Sequence, residues 1–190
     1  MKIFIKDYYG NPFVVFELSL ANEKKVFMRV EKTNYYNNER GIVIIDADRF
    51  LKLWRNEPNN SHYKQSHGNP KTWINDRKYK EAEEGFSYGL NNPVPLANIS
   101  YGFYKKNTTS YKFPFFRKNE CIEQIPYVGF SDGVTRTIWL LANGCKIFPV
   151  ECRMPNAKEL FDYTSLVDAN ANFFIVSELF DKLSDRIISI

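Results

Sequence analysis

One segment constrains the fold of this chain more than any other: residues 131–144, which read SDGVTRTIWLLANG. The Asp132-Gly133 pair predicts a tight turn, because glycine tolerates positive φ and an aspartate side chain can hydrogen-bond to nearby backbone groups. Apolar residues then recur at helical spacing, at Ile138, Leu141 and Ala142. Asn143-Gly144 predicts the end of that helix. The segment therefore predicts a turn that leads directly into a short amphipathic helix.

Arg136 falls in the first turn of this predicted helix, where a cation opposes the helix dipole at a cost of about 0.3–1 kcal/mol. Free backbone N–H groups together with a cation are suited to an anion, and phosphate is the common one. Arg136 could instead pair only with Asp132. Thr135, at the start of the helix, could cap it or hydrogen-bond to a phosphate, and capping is the simpler interpretation.

The composition indicates one globular domain over residues 1–190, with 44% hydrophobic and 16% aromatic residues. The N-terminal residues hold no apolar run typical of a signal peptide, and no run has the length of a transmembrane helix. The three cysteines have no CxxC spacing and do not suggest a disulfide framework. We therefore expect a cytoplasmic protein without an integral membrane segment, with peripheral association at the inner membrane as a further possibility.

The positive charge of the chain is concentrated in Tyr101–Lys118. This segment contains seven aromatic residues, no acidic residue and five basic ones: Lys105, Lys106, Lys112, Arg117 and Lys118. Basic residues interleaved with aromatic ones suit single-stranded nucleic acid, because bases stack on the rings and phosphates pair with the cations. The alternative is a partly buried hairpin with lysines extended at its rim.

The order of predicted elements indicates an α+β protein. Short strands are predicted near residues 3–5, 13–18, 26–30, 42–45, 94–100, 125–130 and 147–152. Helices are predicted after Asp46, from Asn75 or Asp76 to Glu84, in the 131–144 segment, after Asn156 and after Ser177. Asn59–Lys71 is predicted to be a loop. No segment matches the P-loop pattern G-x-x-x-x-G-K-[ST], so any ATPase activity needs a different phosphate cradle.

The predicted turn-helix, the strand that follows it and the upstream segment Pro93–Ile99 together resemble the core of the ParB/sulfiredoxin superfamily. Within that superfamily, Gly85–Ile99 and Gly129–Gly144 are similar to the plasmid fertility inhibition factors. The resemblance implies a ParB/sulfiredoxin-like fold, with a mixed sheet, packed helices and a motif core at about residues 93–152. Val134 and Thr135 stand where sulfiredoxins have their catalytic cysteine and a histidine. Sulfiredoxin chemistry is therefore not expected, since it requires a thiolate.

The resemblance further implies binding and hydrolysis of ATP together with DNA cleavage, used to block transfer of a competing conjugative element or secretion system of type IV. The expected ATP-binding residues are Gly133, Val134, Thr135, Arg136 and Thr137. The DNA, expected to be the transferred strand, would contact the basic residues of Tyr101–Lys118. The alternative is a non-catalytic protein that blocks the coupling protein or the relaxosome, and plain DNA binding is a third hypothesis.

Phosphodiester hydrolysis commonly uses Mg²⁺ or another divalent cation. We expect Asp132 and Glu151 as metal ligands and, with Arg136, as the catalytic residues. Each has a simpler alternative, since Asp132 could be a turn residue only and Glu151 a solvated carboxylate at a sheet edge. His62 and His67 lie in a polar stretch without cysteines nearby, so a zinc site is not expected there. Either histidine could be a general base, but the sequence does not distinguish them.

Overall fold

The protein, described here by a computed structural model, contains two five-stranded β-sheets and seven α-helices in the residues that the structure describes. These are residues 1–33, 36–112, 117–164, 173–183 and 188–189, and the side chains of 108–112, 117–121 and 189 are outside the description. The strands are β1 Lys2–Tyr8, β2 Asn11–Ser19, β3 Lys25–Glu31, β4 Arg40–Asp46, β5 Val94–Pro95, β6 Ala97–Lys112, β7 Arg117–Asp132, β8 Ile147–Arg153, β9 Phe173–Ile175 and β10 Ile188–Ser189. The helices are α1 Ala47–Arg55, α2 Tyr63–Ser66, α3 Pro70–Trp73, α4 Tyr79–Ser87, α5 Val134–Ala142, α6 Asn156–Thr164 and α7 Val176–Lys182.

The first sheet has the strand order β10-β1-β2-β3-β5. Strands β1, β2 and β3, predicted from their β-branched and aromatic residues, pair antiparallel, while β5 pairs parallel with β3 at the edge of the sheet. The predicted strand at residues 94–100 is wrong in one respect, because the chain leaves the first sheet at Leu96. The Leu96 N–H donates to the Arg29 carbonyl at 3.1 Å, and Ala97 then begins a strand of the second sheet.

The second sheet has the order β7-β6-β8-β4-β9 and is mixed, since β6 and β8 run parallel while the other pairs are antiparallel. Both sheets and several of the helices contribute to one cluster of buried apolar side chains. The α+β prediction, with mixed sheets and packed helices, is confirmed. Mixed pairing places the parallel strand β8 beside the start of β6, which is where the turn before α5 also lies.

Strands β6 and β7 form one long antiparallel hairpin, 16 residues on each strand. Its register pairs Asn98 with Asp132 but Ile99 with Phe130, so Ser131 is an extra residue on β7. Such a bulge redirects a strand and is common beside functional sites. Here it lies immediately before the Gly133 turn and thereby sets the direction in which α5 begins.

The helical region differs most from the sequence prediction. The Asp46 side chain accepts from the Arg49 N–H at 2.9 Å and caps α1, as predicted. Asn59–Lys71, predicted to be a loop, instead contains α2 and the first residues of α3, where Asn69 caps a turn with Pro70 at its start. Helix α4 begins at Tyr79, later than predicted, and continues through Gly85 to Ser87. Tertiary contacts around Trp73 stabilise these short helices, since its indole N–H donates to the Gln65 carbonyl at 2.7 Å.

Helix α5 is buried around more of its circumference than the predicted stripe of Ile138, Leu141 and Ala142. Thr137, Ile138, Trp139 and Leu140 are buried, whereas Leu141 and Ala142 are half-buried. The Trp139 ring stacks on Phe86 of α4 with centroids 4.3 Å apart, so Trp139 is a core residue, as predicted. The turn at the end of α5 is also confirmed, with Gly144 at φ +70°. Throughout the part of the chain that the structure describes, every helix is too short or too polar to span a membrane.

Candidate functional site

A cavity of about 700 Å³ opens in front of the N-terminus of α5. Its first wall is formed by the end of β7 and the start of α5, from Phe130 to Arg136. The remaining walls come from the α2–α4 region and β5: His62, Gln65, Asp76, Arg77, Lys78, Glu81, Ala82, Gly85 and Val94. Four of the five predicted ATP-binding residues therefore meet at one cavity: Gly133, Val134, Thr135 and Arg136. Its volume is within the range of small-molecule and cofactor sites.

Gly133 occupies the N-cap position of α5 in a left-handed conformation, with φ +97° and ψ 13°. A Cβ at this position would lie 2.7 Å from both the Cα and the Cβ of Ala97 and 2.5 Å from Arg136 Nε. The position therefore requires glycine for two independent reasons, the backbone angle and the space. No side chain of the described residues caps α5, so the first N–H groups of the helix remain available to a ligand.

Thr135 and Thr137 have different roles at this helix start. Thr135 lines the cavity and does not cap the helix, although capping was the simpler interpretation of the sequence. Thr137 is 1% exposed, and its hydroxyl donates to the Gly133 carbonyl at 3.0 Å. The structure therefore places Thr137 in the core under the turn, and Thr137 does not line the cavity, although it was among the predicted ATP-binding residues.

Arg136 lies against the turn with 16% of its side chain exposed. One terminal nitrogen donates to the Asp132 carboxylate, which is itself 74% exposed. Its Nε is buried, and among the described residues it has no hydrogen-bond partner. A buried donor without a partner is costly. Arg136 therefore pairs with Asp132, as one alternative expected, and retains a donor beside the N-terminus of α5.

The cavity lining carries three cations and three carboxylates, namely Arg77, Lys78, Arg136, Asp76, Glu81 and Asp132. Asp76 is held in place by two hydrogen bonds, from Gln65 Nε2 at 2.9 Å and from the Lys78 N–H at 3.0 Å. The sequence did not predict a place at this site for Asp76, Arg77 or Lys78. The cluster of charged residues at 76–78 is visible in the sequence, but only tertiary packing brings it to the α5 turn.

Glu151 does not line this cavity. It lies on β8, where Arg40 binds both of its carboxylate oxygens, with Nε–Oε1 at 2.8 Å and the second nitrogen to Oε2 at 2.9 Å. The pair is largely buried, with 18% and 14% of the Arg40 and Glu151 side chains exposed. Asn98 of β6 lies between the two carboxyl residues in the sheet, in register with both Asp132 and Glu151.

Two observations bear on the expected metal ligands. Arg136 pairs with Asp132, and Arg40 pairs with Glu151 on another strand. Among the described residues, no three His, Cys, Asp or Glu side chains are arranged to hold a metal ion. The donor set therefore does not fit a preformed Mg²⁺ site made by Asp132 and Glu151.

The predicted DNA-binding residues lie on the β6–β7 hairpin. Lys105 and Lys106 are exposed on β6, while the side chains of Lys112, Arg117 and Lys118 lie outside the described residues. The strand pairing places exposed Glu123 directly across from Lys106. The folded hairpin therefore contains acidic residues as well, although the segment Tyr101–Lys118 does not.

The aromatic residues at the base of this hairpin are partly buried. Tyr101 is 4% exposed, and its ring packs edge-on against Phe103, with centroids 5.3 Å apart. Phe103 is 41% exposed and lies 6.1 Å from the ring of Tyr163 on α6. The base of the hairpin thus belongs to the body of the protein, and Phe103 and Tyr163 form an aromatic surface beside it.

The fold and sequence of this chain have counterparts among plasmid proteins. A sequence profile of the plasmid fertility inhibition factors matches residues 42–165, and the chain belongs to this family. Among individual relatives, it is 33% identical over 78 residues to Protein osa of Shigella flexneri, an alignment that covers 41% of this chain and only 32% of that protein. It also superposes on the crystal structure of Oncogenic Suppression Activity Protein, a plasmid fertility inhibition factor solved as a gold(I) cyanide derivative. That superposition has a TM-score of 0.68 and 25% identity, and it covers 95% of this chain and 81% of the other.

Proposed function

We propose that this protein binds ATP in the cavity before α5 and couples its hydrolysis, together with DNA cleavage, to inhibition of DNA transfer by a competing conjugative or type IV secretion system. The observation that carries the proposal is the uncapped N-terminus of α5 behind the left-handed Gly133, with the largely buried Arg136 side chain beside it. Helix N–H groups and a fixed cation are the usual elements of a phosphate site.

The size and charge of the cavity support a nucleotide over a simple anion. A volume of about 700 Å³ is larger than a phosphate group requires. The polyphosphate would lie at the α5 turn and exchange hydrogen bonds with Arg136 in place of the Asp132 carboxylate. Arg77 and Lys78 line the same cavity and would offset further phosphate charge. A divalent cation accompanying the nucleotide belongs to the proposal, and Asp132 is the one of its two predicted ligands that lines the cavity.

Binding of ATP, measured by calorimetry with and without Mg²⁺, tests the phosphate site. We expect Arg136→Gln to weaken ATP binding by at least tenfold, because a charge-assisted pair with a phosphate is lost. Arg153→Gln is the matched control, since Arg153 is an exposed arginine at the end of β8. If the Arg136 variant and the wild-type protein bound ATP with equal affinity, a phosphate site at the N-terminus of α5 would be contradicted.

DNA is the second proposed ligand, contacted by the β6–β7 hairpin. Lys105 and Lys106 are exposed neighbours on β6, so their side chains project from opposite faces of the hairpin, and DNA that passes around the hairpin would contact both. Replacing both by glutamine should reduce the slope of log K against log salt for single-stranded DNA by about 1.4, at about 0.7 per contact. Lys2 and Lys24, which are exposed on the first sheet and its β2–β3 turn, provide the double-glutamine control. An unchanged slope in the hairpin variant would contradict DNA binding at this site.

One observation favours the second candidate, a non-catalytic protein that docks on the coupling protein or relaxosome. Phe103, Ile122 and Tyr163 are 41%, 67% and 47% exposed, and aromatic surfaces are enriched at protein interfaces. A nuclease and ATPase assay of the purified protein distinguishes the two candidate functions. Activity that is lost in the Arg136 variant supports the enzyme, while transfer inhibition that depends on Phe103 and Tyr163 without any such activity supports the docking protein.

A further inference from the structure

Three aromatic side chains pack together where α6 lies against β6, and they form the aromatic cluster Tyr101, Phe103 and Tyr163. The ring centroid of Tyr101 lies 5.3 Å from that of Phe103 and 5.8 Å from that of Tyr163. The rings of Phe103 and Tyr163 are 6.1 Å apart, so each ring is close to both others. Tyr101 is buried, whereas Phe103 and Tyr163 are exposed. The aromatic cluster therefore has one buried ring and two rings that a ligand can reach.

Packing of α6 holds the aromatic cluster in place. At the start of the helix, Asn156 Nδ2 donates to the Tyr101 carbonyl at 2.7 Å. At its end, Thr164 is fully buried, and its hydroxyl donates to the Leu160 carbonyl at 2.7 Å. Both ends of the helix are thus fixed, and Tyr163 is presented by a packed element. A preorganised surface loses less conformational entropy when a ligand binds.

Two carboxylates border the exposed rings. Glu159 lies four residues before Tyr163 on α6, which places the two side chains on one helix face, and Asp162 directly precedes Tyr163. Both carboxylates are exposed, and neither forms an ion pair with a described residue. Lys158 lies four residues before Asp162 and offsets part of its charge. Glu159 has no cation at this spacing on α6 and is therefore the main source of negative charge beside the rings.

The buried ring of the cluster has an unsatisfied polar group. The Tyr101 hydroxyl is buried, and it has no hydrogen-bond partner among the described residues. Burial raises the pKa of Tyr101, and the neighbouring Tyr163, Glu159 and Asp162 raise it further, so both carboxylates act electrostatically on the cluster. A buried hydroxyl without a partner is costly. A ligand that carries hydrogen-bond donors and positive charge would therefore be stabilised here.

We propose that the aromatic cluster, together with Glu159 and Asp162, binds an arginine side chain in a basic segment of a partner protein. The inference deepens the docking candidate of the proposed function and requires neither ATP nor DNA binding. A cation beside Phe103 and Tyr163 is attracted by the ring electrons, and Glu159 supplies the opposite charge. Guanidinium suits the surface better than ammonium, because it is planar, stacks on rings and is more weakly hydrated. The two carboxylates disfavour the alternative ligand, a nucleic acid stacked on the same rings, since they repel its phosphates.

A labelled peptide of alternating arginine and serine is the probe, and fluorescence anisotropy with the full-length protein at low salt is the measurement. We expect the wild-type protein to bind this peptide at least tenfold more tightly than the same peptide with citrulline, which is uncharged, in place of arginine. Phe103→Leu/Tyr163→Leu should weaken binding by about tenfold or more, because both exposed rings are lost. Glu159→Gln should weaken it by about two- to fivefold. Because Glu159 is exposed and the change is conservative, this variant tests the inference even if the double variant is unfolded.

Tyr88 and Glu84 provide matched controls. Tyr88 is 49% exposed at the end of α4, and Glu84 lies four residues before it, as Glu159 lies before Tyr163. The Tyr88 hydroxyl donates to Glu84 Oε1 at 2.7 Å. Among the described residues, no second ring packs on Tyr88. Tyr88→Leu and Glu84→Gln should therefore leave the affinity for the arginine peptide unchanged.

Several outcomes would overturn the inference. Equal affinity for the arginine and citrulline peptides excludes recognition of the cation, and an equal loss in the Tyr88 and Tyr163 variants excludes the aromatic cluster. Oligothymidylate that requires both exposed rings and binds Glu159→Gln more tightly than wild type would assign the surface to nucleic acid. A dimer, detected by light scattering, that Phe103→Leu/Tyr163→Leu dissociates would assign it to a second copy of the chain.

An assay of transfer inhibition separates this inference from the docking candidate. If Phe103→Leu/Tyr163→Leu no longer binds the arginine peptide but still inhibits transfer, the inference holds and docking through this surface is contradicted as the function. If the variant no longer inhibits transfer but binds the peptide as the wild type does, the inference is wrong and the docking candidate stands.

Discussion

Asp132 and Arg136 form an ion pair across the turn before α5, with the carboxylate largely exposed and the guanidinium largely buried. The sequence spacing of four residues would suggest an ordinary surface pair on a helix. Asp132, however, is the last residue of β7, and Gly133 reverses the chain between the two. The Asp132 carboxylate therefore lies beside Arg136, where the proposed phosphate would also bind.

Asp132→Asn should reveal this competition. The amide retains the shape of the side chain but not its charge. ATP therefore no longer has to displace a carboxylate from Arg136 in order to bind there. We expect ATP affinity measured without divalent cation to rise by up to about fivefold, the strength of a partly exposed pair. Calorimetry at low salt is the suitable measurement. A loss of affinity that appears only with Mg²⁺ would show that Asp132 acts as a metal ligand.

Gly133→Ala should destabilise the fold strongly. The substitution combines positive φ, at about 1–2 kcal/mol, with a close approach to the Ala97 backbone that adds about 1–3 kcal/mol. Gly10→Ala is the matched control, because Gly10 has φ +83° but no described atom lies within 4 Å of the added Cβ. In urea unfolding, Gly133→Ala should lower the free energy of unfolding by about 1–3 kcal/mol more than Gly10→Ala does. Equal losses would mean that the contact with Ala97 is relieved.

The Arg40–Glu151 pair should behave as a structural unit. Removing either partner leaves a largely buried charge, which costs about 3–5 kcal/mol. The double variant Arg40→Gln/Glu151→Gln should lose less than the sum of the two single variants, with a coupling energy of about 1–3 kcal/mol. A double-mutant cycle from chemical denaturation measures it. Additive losses would show that the two side chains act independently and would reopen a role for Glu151 elsewhere.

The buried thiols should make the fold sensitive to alkaline pH. Burial raises the pKa of Cys145 to about 11 and that of Cys152 to about 12. Unfolded thiols release their protons from about pH 8.5, so the unfolded state binds fewer protons than the native one above that pH. The free energy of unfolding should therefore fall as the pH rises from about 8.5 towards 11.

A background of Cys121→Ser isolates this effect, since the Cys121 side chain lies outside the described residues. In that background, a thiol reagent at pH 8 should label Cys145 and Cys152 only after denaturation, because both are buried. Replacing both cysteines by alanine should reduce the decrease in the free energy of unfolding at alkaline pH, relative to the Cys121→Ser protein. Titration of tyrosines accounts for the decrease that remains. Rapid labelling of the native protein would contradict the burial of these thiols.

Local sequence determined much of this protein, because turns, caps and alternation depend on neighbouring residues only. Asp46 caps α1, Asp132-Gly133 forms the turn before α5 and Gly144 ends that helix, as predicted. Strands β1, β2, β3 and β8 follow equally from their residue patterns. The anion site at the α5 turn could therefore be proposed from the sequence, with Gly133 and Arg136 as its central residues.

Tertiary structure alone decided which distant groups share that site. Pairing of β8 with β4 directed Glu151 to Arg40, although its position on the strand allowed it to face Arg136. Packing of α4 against α5 brought Arg77 and Lys78 to the cavity from a segment with no recognisable motif. Such contacts depend on burial and pairing between elements far apart in the chain, and no local pattern encodes which side chain an arginine will bind.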